Sequence, residues 1–265
     1  MKESLINIFA QDNGLLRITL DDEGNKNALS EVMISELTEA ISEANNNKEV
    51  KVIIIASTGN VFCSGHNLKE ITAARNNNDE GASYFKNLFE LCSSLMQLIV
   101  SCPKPVIAEV GGIATAAGCQ LVASCDLAIS SDTAQFATPG VNIGLFCSTP
   151  MVALSRNVSK KEAMKMLLTG DMINAVEAKR ISLINDYVSE DKLEESVNSL
   201  AQKISKKSLM TIKTGKEAFY KQYEMSLSDA YEYTSMVMAQ NTLRDDAKEG
   251  ISSFIEKRDP NWQDN

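Results

Sequence analysis

The spacing of apolar residues changes along the chain, and each change predicts an element. Residues 5–20 predict two short strands around a turn at Asp12-Asn13-Gly14. Behind Ser30, a good N-cap residue, Met33, Leu37, Ile41 and Ala44 recur at helical spacing and predict an amphipathic helix. "KVIIIAS" at 51–57 is continuously apolar, the pattern of a strand covered on both faces. "FCSGHNLKEI" predicts a loop turning into a helix, and a long amphipathic helix spans about 81–101. "CPKPVIAEVGG" gives a proline-marked entry into another buried strand, and "LAISS" and "AQFAT" predict two more. From about residue 150 the pattern turns almost wholly helical, with no linker at the change. Ser159 with Glu162, and Asn174 with Glu177, have the spacing of capping arrangements, and Ser189 before Glu190 and Asp191 suits a further helix start. Leu193 to about Glu256 predicts several amphipathic helices, and "ARNNNDEGAS" at 74–83 is the most polar, loop-like stretch.

Composition narrows the class. The 265 residues are 44% hydrophobic and 23% charged, ordinary values for a globular chain with an ample core. A net charge of −9 argues against nucleic acid or an anionic membrane surface as partner. The longest apolar runs, such as "VIIIA" at 52–56, are too short to span a bilayer. The start, "MKESLINIFAQDNG", reads as a strand rather than a targeting peptide, so a cytoplasmic location is expected. The six cysteines form no C-x-x-C pair and only one histidine is present, His66, so no zinc or multi-histidine metal site is expected. The glycine pattern lacks the G-x-G-x-x-G of dinucleotide sites.

Two short motifs share one layout. "FCSGH" follows the apolar strand "VIIIA", and "GGIATAAG" follows "VIAEV"; each presents small residues in a turn and then enters a helix. Small side chains let a ligand approach the backbone, and the first N–H groups of a helix lack internal partners. Two such donors converging on one oxygen would form an oxyanion hole. The same small residues also permit close packing of helix on strand.

The stretches "IIIASTGNVFCSGHNLKEI", "VIAEVGGIATAAGCQLVASCDLAISSDTAQFATPGVNIGL", "EGISSFIEKRDPNW" and "GNKNALS" resemble the crotonase, or enoyl-CoA hydratase/isomerase, superfamily. The resemblance implies an α/β fold, a crotonase-like spiral of ββα units over residues 1–200, with a helical trimerisation region over 201–265. It implies an acyl-CoA thioester as ligand, with coenzyme A entering as part of the substrate and no tightly bound cofactor, and a homotrimer or homohexamer. The thioester oxygen would lie between the backbone N–H groups of His66 and Ala117. Lys26 and Lys69 stand where the family places coenzyme contacts, and Phe254 and Lys257 match a tail that reaches a neighbouring subunit's ligand.

The nominal activity implied is enoyl-CoA hydration in fatty-acid metabolism, but both expected catalytic glutamates are replaced. Gln120 and Gly140 occupy their positions, and Ser148 stands where dienoyl-CoA isomerases carry an aspartate. Glutamine orients a water but accepts no proton near neutral pH. Two alternatives therefore stand beside hydration. One is decarboxylation of a malonyl-type thioester, which needs mainly the oxyanion hole; the other is a non-catalytic acyl-CoA sensor or scaffold. Cys119 and Cys147 read as small apolar filler beside the pocket.

Overall fold

The computed structural model describes residues 4–11 and 13–264. The expected opening hairpin forms from β1 (Ile6–Ala10) and β2 (Leu15–Leu20), which pair antiparallel; of its turn, Asp12 lies outside the described residues. Helix α1 (Glu31–Asn46) starts at Ser30, whose hydroxyl accepts from the Met33 N–H, and it buries Met33, Leu37, Ile41 and Ala44. Three strand–strand–helix units follow. The first is β3 (Val52–Ser57), β4 (Val61–Cys63), α2 (Leu68–Ala74) and α3 (Ala82–Ser101). The second is β5 (Val106–Val110), β6 (Ile113–Thr115) and α4 (Ala117–Ser124). The third is β7 (Leu127–Ser131), β8 (Gln135–Ala137), a 3₁₀ turn over Pro139–Ile143, and α5 (Pro150–Asn157).

Each unit gives one strand to each of two sheets, which is what makes the fold a spiral. The larger sheet has the order β1-β2-β3-β5-β7-β10 and the smaller β4-β6-β8-β9, after α6 (Lys160–Thr169), β9 (Ile173–Asn174), α7 (Ala175–Arg180) and β10 (Asp186–Val188). The unbroken apolar run in β3 now has its reason. Ile53 and Ile55 face the main core with α1 and α3, while Val52 and Ile54 face a second cluster formed with Leu193, Val197 and Ala201 of α8 (Leu193–Ser205). Residue 200, the expected boundary of the spiral, falls inside α8.

The chain continues as α9 (Leu209–Tyr223), α10 (Leu227–Thr242) and α11 (Asp245–Glu256). Lys216 fastens α9 to the spiral: its Nζ donates to Asp126 Oδ2 at 2.6 Å and to the carbonyls of Ile99 and Lys104, and the Tyr220 hydroxyl donates to Asp126 Oδ1 at 2.9 Å. Two sequence expectations need correction. The region after 150 is not purely helical, because β9 and β10 join the two sheets; at two and three residues they are too short to show a strand period. Ser159 precedes α6 but its hydroxyl makes no capping bond, and Glu162 pairs instead with Arg180 at 2.6 Å. Asn174 does cap α7, accepting from the Glu177 N–H.

Candidate active site

Strands β4, β6 and β8 run parallel and side by side, so the segments leaving their carboxyl ends are neighbours: Ser64-Gly65-His66, Ala116-Ala117 and Thr138-Pro139-Gly140. Ligand sites in open α/β sheets form at such strand ends. The three segments are tied together directly. Thr115 Oγ1 donates to the Ser64 carbonyl at 3.1 Å, and the Ala116 N–H donates to the Ala137 carbonyl at 3.0 Å. Gly65 lies so close to the second turn that a Cβ there would stand 2.8 Å from Ala116 Cβ and 3.1 Å from the Ala117 nitrogen. Its φ of +91° adds a second reason for glycine.

Ala116 itself has φ 51° and ψ −119°, a conformation that costs a non-glycine residue on the order of 1–3 kcal/mol and clusters at functional sites. It sets the entry to α4. Among the described residues, neither the Ala117 N–H nor the His66 N–H donates to any protein group. Two unpartnered donors on abutting turns are the arrangement that accepts a carbonyl oxygen and steadies it as negative charge develops there. The small residues of "TAAG" divide the work. Gly118 serves packing, since a Cβ there would overlap the Cys63 carbonyl, whereas Ala116 and Ala117 shape the donor turn.

Gln120 sits one turn into α4, 4% exposed, and its Oε1 has no partner among the described residues. It is a neutral amide and titrates nowhere near neutral pH. Gly140 is buried in the 3₁₀ turn, where its carbonyl accepts from the Leu145 N–H at 2.9 Å. No carboxylate is present at either position. The His66 ring packs edge-on against Phe89 with centroids 5.3 Å apart, and its Nδ1 faces the Leu29 carbonyl at 3.3 Å. A carbonyl only accepts, so Nδ1 carries the proton and Nε2 presents a lone pair. Burial lowers the imidazole pKa below its ordinary 6.5, partly opposed by the Leu29 bond, so the ring is neutral at pH 7. Burial pushes the Cys119 thiol up to about 12 and raises Cys147, which keeps both as thiols, as expected of apolar filler. Ser148 is exposed and donates to the Phe146 carbonyl.

The coenzyme candidates divide. Lys26 lies beside the first turn, because its carbonyl accepts from the Ser64 N–H at 3.1 Å, and it lines a polar pocket with Glu23, Thr58 and Asn60. Lys69 reaches the same edge, its Nζ donating to Asn25 Oδ1 at 3.3 Å. Phe254 and Lys257 stand at the end of α11, which packs on α9 and α10; Phe254 is 85% exposed, and among the described residues no hydrogen bond joins either to the site. Sequence reasoning missed two positioning residues. Thr115 ties the two turns, and Asn27, 1% exposed, accepts from the Asp22 N–H and donates to the Thr58 and Val61 carbonyls, fixing the strand end beside Lys26. Asparagine within a "GNKNALS" loop, at φ 50°, was the one available signal.

This spiral, with its open donor pair at the strand ends, defines the class: the chain belongs to the Enoyl-CoA hydratase/isomerase family, whose description matches residues 10–265. It is 47% identical over 262 residues to Enoyl-CoA hydratase domain-containing protein 3, mitochondrial, of Xenopus laevis, covering 99% of this chain and 87% of that protein. It is 46% identical over 252 residues to the Homo sapiens protein of that name, covering 95% of this chain and 82% of that one. The solved human Enoyl-CoA hydratase domain-containing protein 3 superposes with a TM-score of 0.92 at 44% identity, covering 97% of this chain and 100% of that chain. An enoyl-CoA hydratase structure from Mycobacterium smegmatis gives 0.93 at 42%, covering 98% and 99%. These likenesses agree with the resemblance carried by "AAGCQLVASCD" and "FATPGVNIGLFCSTP". They overturn the expected cytoplasmic location, since the vertebrate relatives are named mitochondrial. The physical reason is that targeting is read from a separable segment, and the composition of a folded domain does not report its compartment.

Proposed function

We propose that this chain binds an acyl-CoA thioester, with the thioester oxygen held by the N–H groups of His66 and Ala117, and that it is a poor hydratase. The observation carrying this reading is the pair of unpartnered N–H groups beside a buried amide where hydration would need a carboxylate. Such a donor is worth about 2.7–4 kcal/mol when negative charge develops on the oxygen. Lys26 and Lys69, on one edge of the site, supply positive charge for the coenzyme's phosphates in an otherwise acidic protein. Coenzyme A enters as part of the substrate.

Loss of CO₂ from a malonyl-type thioester is the second reading, favoured by the same observation, because an enolate formed that way needs the donor pair and little acid–base equipment. Exposed apolar side chains on α10 and α11, Leu227 at 76% and Phe254 at 85%, support assembly into a homotrimer or homohexamer in which Phe254 and Lys257 reach a neighbour's ligand. The names of the vertebrate relatives support a mitochondrial location. A turnover screen tests the function: purified protein against crotonyl-, malonyl- and hydroxyacyl-CoA thioesters, with binding by calorimetry in parallel. Binding without hydration supports the reading. Hydration of crotonyl-CoA at roughly 10 s⁻¹ or more, an ordinary enzymatic rate, overturns the account of Gln120, and no binding of any thioester overturns the whole.

A further inference from the structure

The larger sheet ends at β1, and an edge strand offers its unpaired N–H and C=O groups to any other chain. Folded proteins blunt such edges with charged side chains, proline or a bulge. Here "SLINIFAQ" at 4–11 holds neither charge nor proline, in a chain of net charge −9, and β1 pairs with β2 in one unbroken register. Four of the five residues of β1 are exposed, among them Ile8 at 52% and Phe9 at 63%. The bonds to β2 identify which backbone groups are free. The Leu5 carbonyl accepts from the Asp21 N–H at 2.8 Å, and the Gln11 N–H donates to the Leu15 carbonyl at 2.9 Å. In an antiparallel pair bonded positions alternate, so Asn7 and Phe9 also face β2, while the N–H and C=O groups of Ile6, Ile8 and Ala10 point away from it. Ser4 closes one end of this row: its hydroxyl donates to the Ile6 carbonyl at 2.9 Å and accepts from the Ile6 N–H at 3.3 Å. Among the described residues no group meets the outward N–H and C=O of Ile8 and Ala10.

We propose that β1 is a self-association edge, pairing antiparallel with β1 of a second copy about a twofold axis at Phe9 and so joining the two six-stranded sheets. The free run is short and symmetric about Phe9. A longer peptide strand would find only Ile8 and Ala10 open, whereas a second copy uses the whole run: Ile8 exchanges bonds with Ala10 of the second copy, and Ala10 with its Ile8. Phe9 then meets its own counterpart at the non-hydrogen-bonded position, where Cα atoms stand about 4.5 Å apart and side chains are closest. Ile6 belongs to the main core, so Ile8 and Ala10 lie on that face, and Phe9 lies on the other, across from Arg17. An aromatic cross-strand pair there covers ring surface that a single chain leaves in water. The absence of charge over residues 4–11 removes the repulsion that two acidic chains meet elsewhere. So short an edge buries less than the roughly 1,200 Å² of a stable interface, so the pair is a weak one that forms at high local concentration. The inference is independent of the thioester reading.

Cross-linking tests the edge and its register together. All six native cysteines are buried, so Phe9→Cys adds one exposed thiol to the full chain. With copper-phenanthroline as oxidant, non-reducing electrophoresis should show a covalent dimer of Phe9→Cys forming at least about tenfold faster than those of Asn7→Cys and Ile8→Cys, because pairing raises the effective thiol concentration only where a residue meets its own counterpart. Sedimentation of the cysteine-unmodified protein gives the second reading. Phe9→Lys, a charge of the kind that blunts natural edges, should weaken concentration-dependent association about tenfold or more, and Phe9→Leu should retain it. Assembly through α10 and α11 is common to every variant, so the readout is the difference between them. Equal cross-linking at all three positions, as in random collision or pairing in another register, overturns the proposal. So does the absence of a Phe9→Cys dimer at concentrated protein, as when a strand of a different protein is the edge's partner, or sedimentation that Phe9→Lys leaves unchanged.

Discussion

Gly118→Ala separates the packing role of the α4 start from the ligand role proposed for it. In the structure a Cβ at Gly118 would overlap the Cys63 carbonyl oxygen and stand 2.7 Å from its carbon and 2.8 Å from Cys63 Cβ. Carbon atoms rest at about 3.5–4.0 Å, so the first turn of α4 must withdraw from β4 by about 1 Å, and backbone rather than a mobile side chain has to give way. Overpacking of this size costs about 1–3 kcal/mol, offset by up to about 1 kcal/mol because alanine favours helix over glycine. The net loss of stability is therefore modest, about 0–2 kcal/mol. Binding has no such offset. Ala117 is the adjacent residue, its N–H moves with the turn, and a misaligned hydrogen bond to the thioester oxygen should weaken acyl-CoA affinity about tenfold. Urea denaturation and calorimetry with butyryl-CoA read the two effects separately. Gly215→Ala in α9 is the control, since a Cβ there meets nothing within 4 Å and should leave binding in place. Unchanged affinity in Gly118→Ala would refute the claim that this close approach fixes the Ala117 donor.

Three further outcomes follow from the same geometry. Gln120→Glu alone should raise crotonyl-CoA hydration in a stopped assay, whereas adding Gly140→Glu should lower the yield of folded protein, because a Cβ at Gly140 stands 2.5 Å from the Leu145 carbonyl oxygen and 2.9 Å from Cys147 Sγ. His66 is the only histidine, so proton NMR should show one imidazole titrating below 6.5. Burial depresses its folded pKa, so the stability from keeping the ring neutral is complete above pH 6.5 and is lost as pH falls through the lower folded value; a titration above 6.5 contradicts this. Lys216→Met should destabilise by about 3–5 kcal/mol in urea melts, because it leaves Asp126 without its counter-charge in a pair whose side chains are 8% and 15% exposed; a loss under about 1 kcal/mol would show that the Tyr220 hydroxyl and the Val106 N–H suffice to hold the carboxylate.

Long periodic elements were legible from the chain alone: α1 behind Ser30 and the doubly covered β3 are both where apolar spacing places them. The candidate site was legible as two small-residue turns that the fold brings together, because residues that bring backbones together must be small wherever they occur. What each small residue does was not. Gly65 and Gly118 look alike in sequence, yet one abuts the donor turn and the other abuts the Cys63 carbonyl, a difference set by strand register between β4 and β6. Thr115 and Thr138 carry no pattern at all, and Asn27 shows only as an asparagine in a loop. A threonine with an unpaired buried hydroxyl reads the same as a surface threonine until the sheet places Thr138 next to Ala116. The exposed Phe254 and Lys257 belong to surfaces that a single chain leaves open.

A crystal structure of this protein with butyryl-CoA tests the central claim most directly. The account predicts the thioester oxygen within hydrogen-bond distance, about 2.7–3.2 Å, of both the His66 and the Ala117 nitrogen, with the acyl chain running past Gln120. A thioester bound elsewhere, or held by only one of these N–H groups, would contradict it.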